Sequence, residues 1–230
     1  FLDEVAWRWV DSPAPYGPLW LMLGDLIAWI CGEGVMRTVF AIRLLGVAGV
    51  ALCAWLLPIL ARRVGARADL ALWLGVLNPM VLLHGIAGGH NDALMIGLAI
   101  AGLTVAAGAG PGRPLRRDLR LLAGGAALTA LAIAVKSPAA ILLAFCVPLW
   151  AHQRGEIARL RTWTLGSVTA LLSSAAAFAA VTLVSGVGLG WIKQVNTSIP
   201  VVNWLSLPTS AAMLWRALHG VEVSQRLDST

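Results

Sequence analysis

The 230 residues are 59% hydrophobic and only 12% charged, with a mean hydropathy of +0.81. A soluble domain is about one quarter charged, so the composition excludes an ordinary water-soluble globule and points to a bilayer as the solvent. A net charge of +6 and a pI near 10.2 would suggest nucleic acid in a soluble protein, but here the basic residues crowd into short loops between apolar runs, and no nucleic-acid partner is expected.

The chain opens with Phe1-Leu2-Asp3, without an initiator Met or a charged leader, and trails off at Asp228-Ser229-Thr230. It is expected to be a fragment of a longer polytopic protein. Residues 1–37 carry Trp7, Trp9, Trp20 and Trp29, which suit the headgroup level of a membrane. The stretch Asp11-Ser-Pro-Ala-Pro-Tyr-Gly-Pro18 is stiff and turn-rich, because its prolines fix φ. The apolar run Leu19 to Ile30 is too short to span and holds Asp25, so it is predicted as an interfacial helix.

Six apolar runs follow, at 38–61, 69–85, 92–109, 120–135, 138–151 and 162–187. The fifth is short and contains Pro148, which predicts a break or a steep tilt. No strand alternation occurs, and Ala, Leu and Gly dominate every run. Gly124-Gly-Ala-Ala127 and Ser173-Ser-Ala-Ala-Ala177 would allow helices to approach closely. The expected class is an all-α integral membrane helix bundle: an external loop with an interfacial helix over 1–37, about six spans over 38–187, and a further external loop and helix start over 188–230.

Loop charge sets the expected orientation. Arg62, Arg63 and Arg67 fall in one loop, Arg113, Arg116, Arg117 and Arg120 in a second, and Arg154, Arg159 and Arg161 in a third, ten of the seventeen basic residues. Positive loops face the cytoplasm, so residues 86–91, the Lys136-Ser137-Pro138 turn and 188–206 should face outward. The expected location is the plasma membrane, multi-pass, with an extracytoplasmic functional face. On the inner side a topology signal alone would account for the arginines. The three cysteines, Cys31, Cys53 and Cys146, have no ligand spacing and read as small core residues.

The polar residues that topology leaves unexplained collect on the outer side. Gly88-Gly-His-Asn-Asp92 lies between two apolar runs, where Asn91 or Asp92 would cap the next helix or Asp92 would work as an acid or base, with Asn91 and His90 binding substrate. His90 and Asp92 alone are a weak metal pattern, and no metal or other cofactor is expected. Arg43 sits inside the first run, where an ionisable group is expensive. It either snorkels to the headgroups or binds an anionic group such as phosphate. Lys136 opposes the positive-inside bias; Ser137 and Pro138 read as a helix start, but the lysine calls for a phosphate or a carboxylate such as Asp92 unless solvation accounts for it. Tyr16 and Lys193 complete the expected substrate contacts, and Trp191, Asn196 and Trp204 read either as a saccharide platform or as an interfacial belt.

Pro13-Ala-Pro-Tyr-Gly-Pro18, Asn78-Pro79, Gly88-Gly-His-Asn-Asp92 and Lys136-Ser-Pro138, in this order, resemble the actinobacterial polyprenol-phosphate-mannose-dependent α-1,6-mannosyltransferases of the MptB type, polytopic GT-C glycosyltransferases. The resemblance implies a polyprenyl-phosphate mannose donor drawn from the membrane lipids, an α-1,6-mannan acceptor of lipomannan or lipoarabinomannan, and inversion at the anomeric carbon. It makes Arg43 and Lys136 candidates for the donor phosphate and Asp92 the catalytic candidate within this chain. Enzymes of this class place their key acid soon after the first span, so the primary base is expected upstream of Phe1. The competing reading from the residues alone is a multi-pass transporter or lipid flippase, which would more often show repeats and mid-membrane polar groups on several spans.

Overall fold

The computed structural model of the protein describes residues 14–192 and, beyond them, 211, 213–215 and 218. The chain divides into two units, Phe1–Val195 and Asn196–Thr230; the fold below is that of the first, and the described residues of the second are helical. The first unit is all-helical among its described residues: α1 (Pro18–Cys31), α2 (Val35–Arg63), α3 (Ala68–Gly75), a π-helical segment (Val81–Ala87), α4 (Asp92–Ala106), α5 (Leu115–Val135), a 3₁₀ turn (Ser137–Ala139), α6 (Ala140–Leu143), α7 (Cys146–Gln153) and α8 (Leu160–Ser185).

Among the described residues, α2, α5 and α8 are long and apolar enough to cross a membrane. Counting the π-helical segment and α4 as one bent span, with 105° between them, gives up to four. The expectation of about six spans is therefore not confirmed, for two local reasons. The run 69–85 is cut at Asn78-Pro79: Pro79 has no N–H and would collide with the carbonyl four residues back, so α3 stops at Gly75. A new turn then starts, with the Asn78 side chain accepting from the Met80 N–H at 2.9 Å, a cap with proline just inside it. The run 138–151 also breaks, at Ala144–Phe145 and not at Pro148. Pro148 lies in the first turn of α7, where a missing N–H leaves no bond unmade.

The centre of the bundle is α4, only 15 residues long and rich in Ala and Gly. Its neighbours approach it backbone to backbone. A Cβ on Gly49 of α2 would fall 2.4 Å from the Ala93 carbonyl, and one on Gly125 of α5 would fall 2.5 Å from the Gly102 carbonyl. The small residues singled out in the sequence thus form the α4–α5 seam, and Ser174 of α8 donates to the Ala126 carbonyl at 3.3 Å. In hydrocarbon, such close approach supplies the dispersion contact that a hydrophobic driving force would supply in water.

Two cores lie at opposite ends of the antiparallel α4–α5 pair. Near the start of α4, Met95, Ala99, Ala132, Val135 and Ala139 pack with Leu19 and Trp20 of α1. Near its end, Leu103, Leu122, Ala126 and Ala170 gather around Trp150 of α7. All three cysteines are buried and free. The flanks of α2 and α8 expose leucine, valine and aromatic side chains, including Leu183 at 81% and Trp55 at 68%, as expected of lipid-facing surface.

The arginine-rich end does more than signal orientation. Asp118, in the first turn of α5, is fully buried and ion-paired with Arg154, whose guanidinium also lies 5.5 Å from the centre of the Trp150 ring. The Trp150 indole donates to the Asp118 carbonyl at 2.9 Å. Glu156 accepts from Arg154, Arg159 and the Thr162 hydroxyl, the last at 2.9 Å. Arg63 donates to the Thr104 carbonyl in the last turn of α4, the end where a helix dipole favours a cation. The expectation that topology alone explains these arginines is thus corrected: Arg63 and Arg154 tie helix ends together, because a buried carbonyl or carboxylate at a helix end needs a donor that the apolar runs cannot supply.

Candidate functional site

The site is built where α1, α4 and α5 meet, at the end of the bundle opposite the Asp118 network. The π-helical segment runs into Gly88, and Gly89 takes φ +61°, a left-handed conformation that reverses the chain at little cost only for glycine. After this reversal His90 is exposed, Asn91 is buried and Asp92 opens α4. A carboxylate in a first helical turn is favoured by the unpaired N–H groups there. Asn91 occupies the cap position, yet its side chain makes no capping hydrogen bond, and its buried amide nitrogen has no partner among the described residues. The capping role expected of Asn91 or Asp92 is therefore not the observed one. Asn91 keeps helix-like angles (φ −70°, ψ −10°) in place of the extended ones usual for a capping residue.

Lys136 ends α5 in an extended conformation (φ −157°, ψ 131°), which turns its side chain out of the helix. Its Nζ lies 2.8 Å from Asp92 Oδ1 and 3.0 Å from Oδ2. The carboxylate named as a partner in the sequence is the one the lysine meets. Ser137 does not cap the following turn; Lys136 takes that position and Pro138 sits just inside it.

The N-terminal motif docks on the same corner. The Gly17 N–H donates to the Val135 carbonyl at 3.2 Å, and Pro18 is fully buried. A Cβ on Gly17 would lie 2.3 Å from the Ala134 oxygen, so only glycine fits. Tyr16 packs edge-on to Trp20, with ring centroids 6.4 Å apart. Three motifs far apart in sequence, around Tyr16, Asp92 and Lys136, are thus brought to one place.

Arg43 stands beside this corner but outside the pair. It is exposed on α2, one residue from Ile42, the side chain nearest the Cβ position of Gly89. It forms no hydrogen bond or ion pair among the described residues. Lys193, Asn196 and Trp204 lie outside the described residues, as do Asp3, Glu4 and Asp11. Trp191 is buried against Phe178 of α8, with ring centroids 6.2 Å apart, and offers no open saccharide platform. Among the described residues no three His, Cys, Asp or Glu side chains are placed to share a metal ion.

A cavity of about 260 Å³ opens beside Asp92. Apart from that carboxylate its walls are apolar, from Val50 and Cys53 of α2, Met80 and Val81 near the π-helical segment, and Ile96 of α4. Sequence reasoning missed it, because it exists only where the run 69–85 breaks and leaves α2 and α4 uncovered. The Asn78-Pro79 step was the one signal that could have located it.

Residues 1–152 match the family model described as "alpha-(1->6)-mannopyranosyltransferase, N-terminal domain". The chain is 36% identical over 220 residues to alpha-(1->6)-mannopyranosyltransferase A of Mycobacterium tuberculosis, covering 94% of this chain and 40% of the relative. It is 36% identical over 224 residues to the protein of the same name from Corynebacterium glutamicum, covering 92% and 44%. With alpha-(1->6)-mannopyranosyltransferase B of Corynebacterium glutamicum it shares 29% over 227 residues, covering 92% and 36%. The chain spans about two fifths of the length of the curated relatives it matches. No solved structure matches it.

Proposed function

We propose, from the premise that the chain belongs to the alpha-(1->6)-mannopyranosyltransferase family, that it forms the N-terminal part of an inverting membrane mannosyltransferase of the GT-C class. Its donor is a polyprenyl-phosphate mannose and its acceptor a growing α-1,6-mannan of cell-envelope lipoglycans. The reaction takes place at the outer face of the plasma membrane. The remaining spans of a polytopic enzyme belong to the longer protein, together with any primary base upstream of Phe1.

The observation that carries this reading is the Asp92–Lys136 pair at the mouth of an apolar cavity. In transfer, the bond between the anomeric carbon and the phosphate oxygen breaks as an acceptor hydroxyl oxygen bonds to that carbon from the opposite face. The hydroxyl proton needs a carboxylate, and the departing polyprenyl phosphate needs a cation. Asp92 and Lys136 supply one of each within a single contact, so a donor phosphate that draws Lys136 away would free Asp92 to take the proton. Arg43, unpaired beside the Gly89 turn, is a second cation for the phosphate. The cavity lining suits isoprene units, while Tyr16, His90, Asn91 and Lys193 are assigned to the sugars.

The test is mannose transfer by membranes holding the full-length protein with a polyprenyl-phosphate mannose donor. Transfer that requires the lipid donor and collapses in Lys136→Ala and Asp92→Ala is the expected result. Wild-type transfer in both variants would overturn the site, and transfer without a lipid donor would overturn the function.

A further inference from the structure

At the arginine-rich end of the bundle, α5 and α8 both begin, and between them runs a second, shallow groove of about 510 Å³. Its size lies within the range of about 300–1,000 Å³ typical of small-molecule sites. Leu115, Leu119 and Ala123 form its apolar floor, at successive four-residue steps on one face of α5, and Thr169 of α8 closes the far side. Arg116 and Arg120 stand along its edge, four residues apart and therefore on one face.

These arginines differ from those that carboxylates hold. Arg154 and Arg159 are engaged by carboxylates, as is Arg67 by Asp69. Arg116, Arg120 and Arg161 form no hydrogen bond or ion pair among the described residues. Leu115 lines both the groove and a smaller cavity of about 120 Å³ that Arg161 also lines, so three uncompensated guanidinium groups surround one apolar step. α8 has neither a side-chain cap nor an acidic residue in its first turn, so its positive terminus adds to the region, whereas that of α5 is met by Asp118. From the cations the apolar floor leads along α5 as far as Ala123, beside Thr169 of α8, a surface that a soluble anion would not use.

The geometry points to a binding site for an anionic phospholipid, with its phosphate held by Arg116 and Arg120 and an acyl chain laid along Leu119 and Ala123. Charge complementarity selects the headgroup, and the continuity of cationic edge and apolar floor selects a lipid over free phosphate. Basic pockets between membrane helices commonly take such headgroups. The site stands apart from the Asp92–Lys136 corner, so it holds or fails independently of the transfer reaction.

The experiment is native mass spectrometry of the full-length protein released from vesicles of phosphatidylglycerol mixed with phosphatidylcholine. Wild type is expected to retain phosphatidylglycerol over phosphatidylcholine. Each arginine near a membrane surface contributes about a fivefold effect on binding, so Arg116→Gln with Arg120→Gln should lower retention on the order of 25-fold. Arg62→Gln, at an exposed arginine in the last turn of α2, should leave retention unchanged. Ala123→Phe, which fills the floor without altering charge, should lower it while circular dichroism stays native. Equal loss in Arg62→Gln would reduce the effect to diffuse surface charge and overturn the site. Equal retention of phosphatidylcholine, or displacement by glycerophosphoglycerol without acyl chains, would overturn the lipid.

Discussion

Lys136 and Asp92, 44 positions apart, make a two-pronged ion pair of 2.8 and 3.0 Å at the point where α4 begins and α5 ends. Both are partly open to solvent, with side-chain exposures of 29% and 41%. A pair so exposed contributes little to folding, about 1 kcal/mol or less. Stability therefore does not account for a lysine at this turn. Lys136→Met is expected to leave the thermal midpoint of the detergent-solubilised protein almost unchanged while lowering mannose transfer on the order of a hundredfold. Lys136→Arg, which keeps the charge but not the single-point geometry, should fall between. Loss of folding in Lys136→Met would make the pair structural and sink the assignment.

Gly17 tests whether the N-terminal motif belongs to the same site. A methyl group there would overlap the Ala134 carbonyl at 2.3 Å, and the hydrogen bond to Val135 could not survive. Gly17→Val should detach the Tyr16 segment and reduce transfer by about tenfold or more, in line with the cost of a small misplacement near a reacting centre. The spans themselves should remain folded, which circular dichroism would show. Full transfer in this variant would separate the motif from catalysis.

The α4–α5 seam should be intolerant of any added atom. A Cβ on Gly102 would fall 2.3 Å from Thr129 Oγ and 2.5 Å from the Gly125 oxygen. The hydroxyl can rotate away but the carbonyl cannot, so Gly102→Ala is expected to cost about 1–3 kcal/mol, read as a lower midpoint in thermal unfolding. Gly112, in an exposed loop, is the control for expression, and its loss of left-handed freedom should cost less.

The buried pair at the other end should behave differently from Lys136 and Asp92. Asp118 is wholly buried and Arg154 nearly so. Removing one partner of such a pair strands the other charge, at about 3–5 kcal/mol. Arg154→Met is therefore predicted to destabilise strongly, and Asp118→Asn less, because Arg154 keeps Glu156. Equal and small effects in thermal unfolding would mean that the network is solvated.

Glu156 gives that network a pH dependence. Hydrogen bonds from Arg154 first, and then from Thr162, hold its carboxyl below the usual value of 4.5. A group depressed in the folded state stabilises fully above its unfolded pKa, and the contribution fades as pH falls through 4.5 toward the folded value. Wild type should thus lose midpoint on acidification between about pH 5 and pH 3, and Glu156→Gln should show a flatter profile. A parallel profile in the variant would assign the acid sensitivity elsewhere.

The long helices were legible because composition alone defines them: runs at 38–61, 120–135 and 162–187 became Val35–Arg63, Leu115–Val135 and Leu160–Ser185. Charged first turns such as Leu115–Arg120 were not assigned to helix, since hydropathy sees only the apolar remainder. The 69–85 run misled because its hydropathy ignores one proline whose missing N–H cuts the helix. Asp92 and Lys136 were suspected as partners from their shared side and opposite charge. Asp118 and Arg154 were not, because a buried pairing between a first-turn carboxylate and an arginine 36 positions away leaves no mark in a charge count. The Asn91 cap failed for a subtler reason, since cap preference describes side-chain chemistry while backbone angles decide whether it is used.

The glycine seams also decide what can move. Where Gly49 meets Ala93 and Gly125 meets Gly102, backbone lies against backbone, and such a joint has little slack to absorb a rotation. α2, α4 and α5 therefore travel as a single keel. The wall of the cavity beside Asp92 that lies outside this keel is the stretch around Met80 and Val81, pinned at its far end where Gly85 presses on Gly46. If the proposed polyprenyl donor enters there, the tempo of its exchange is set by a few residues around a proline rather than by the helices that carry the charges.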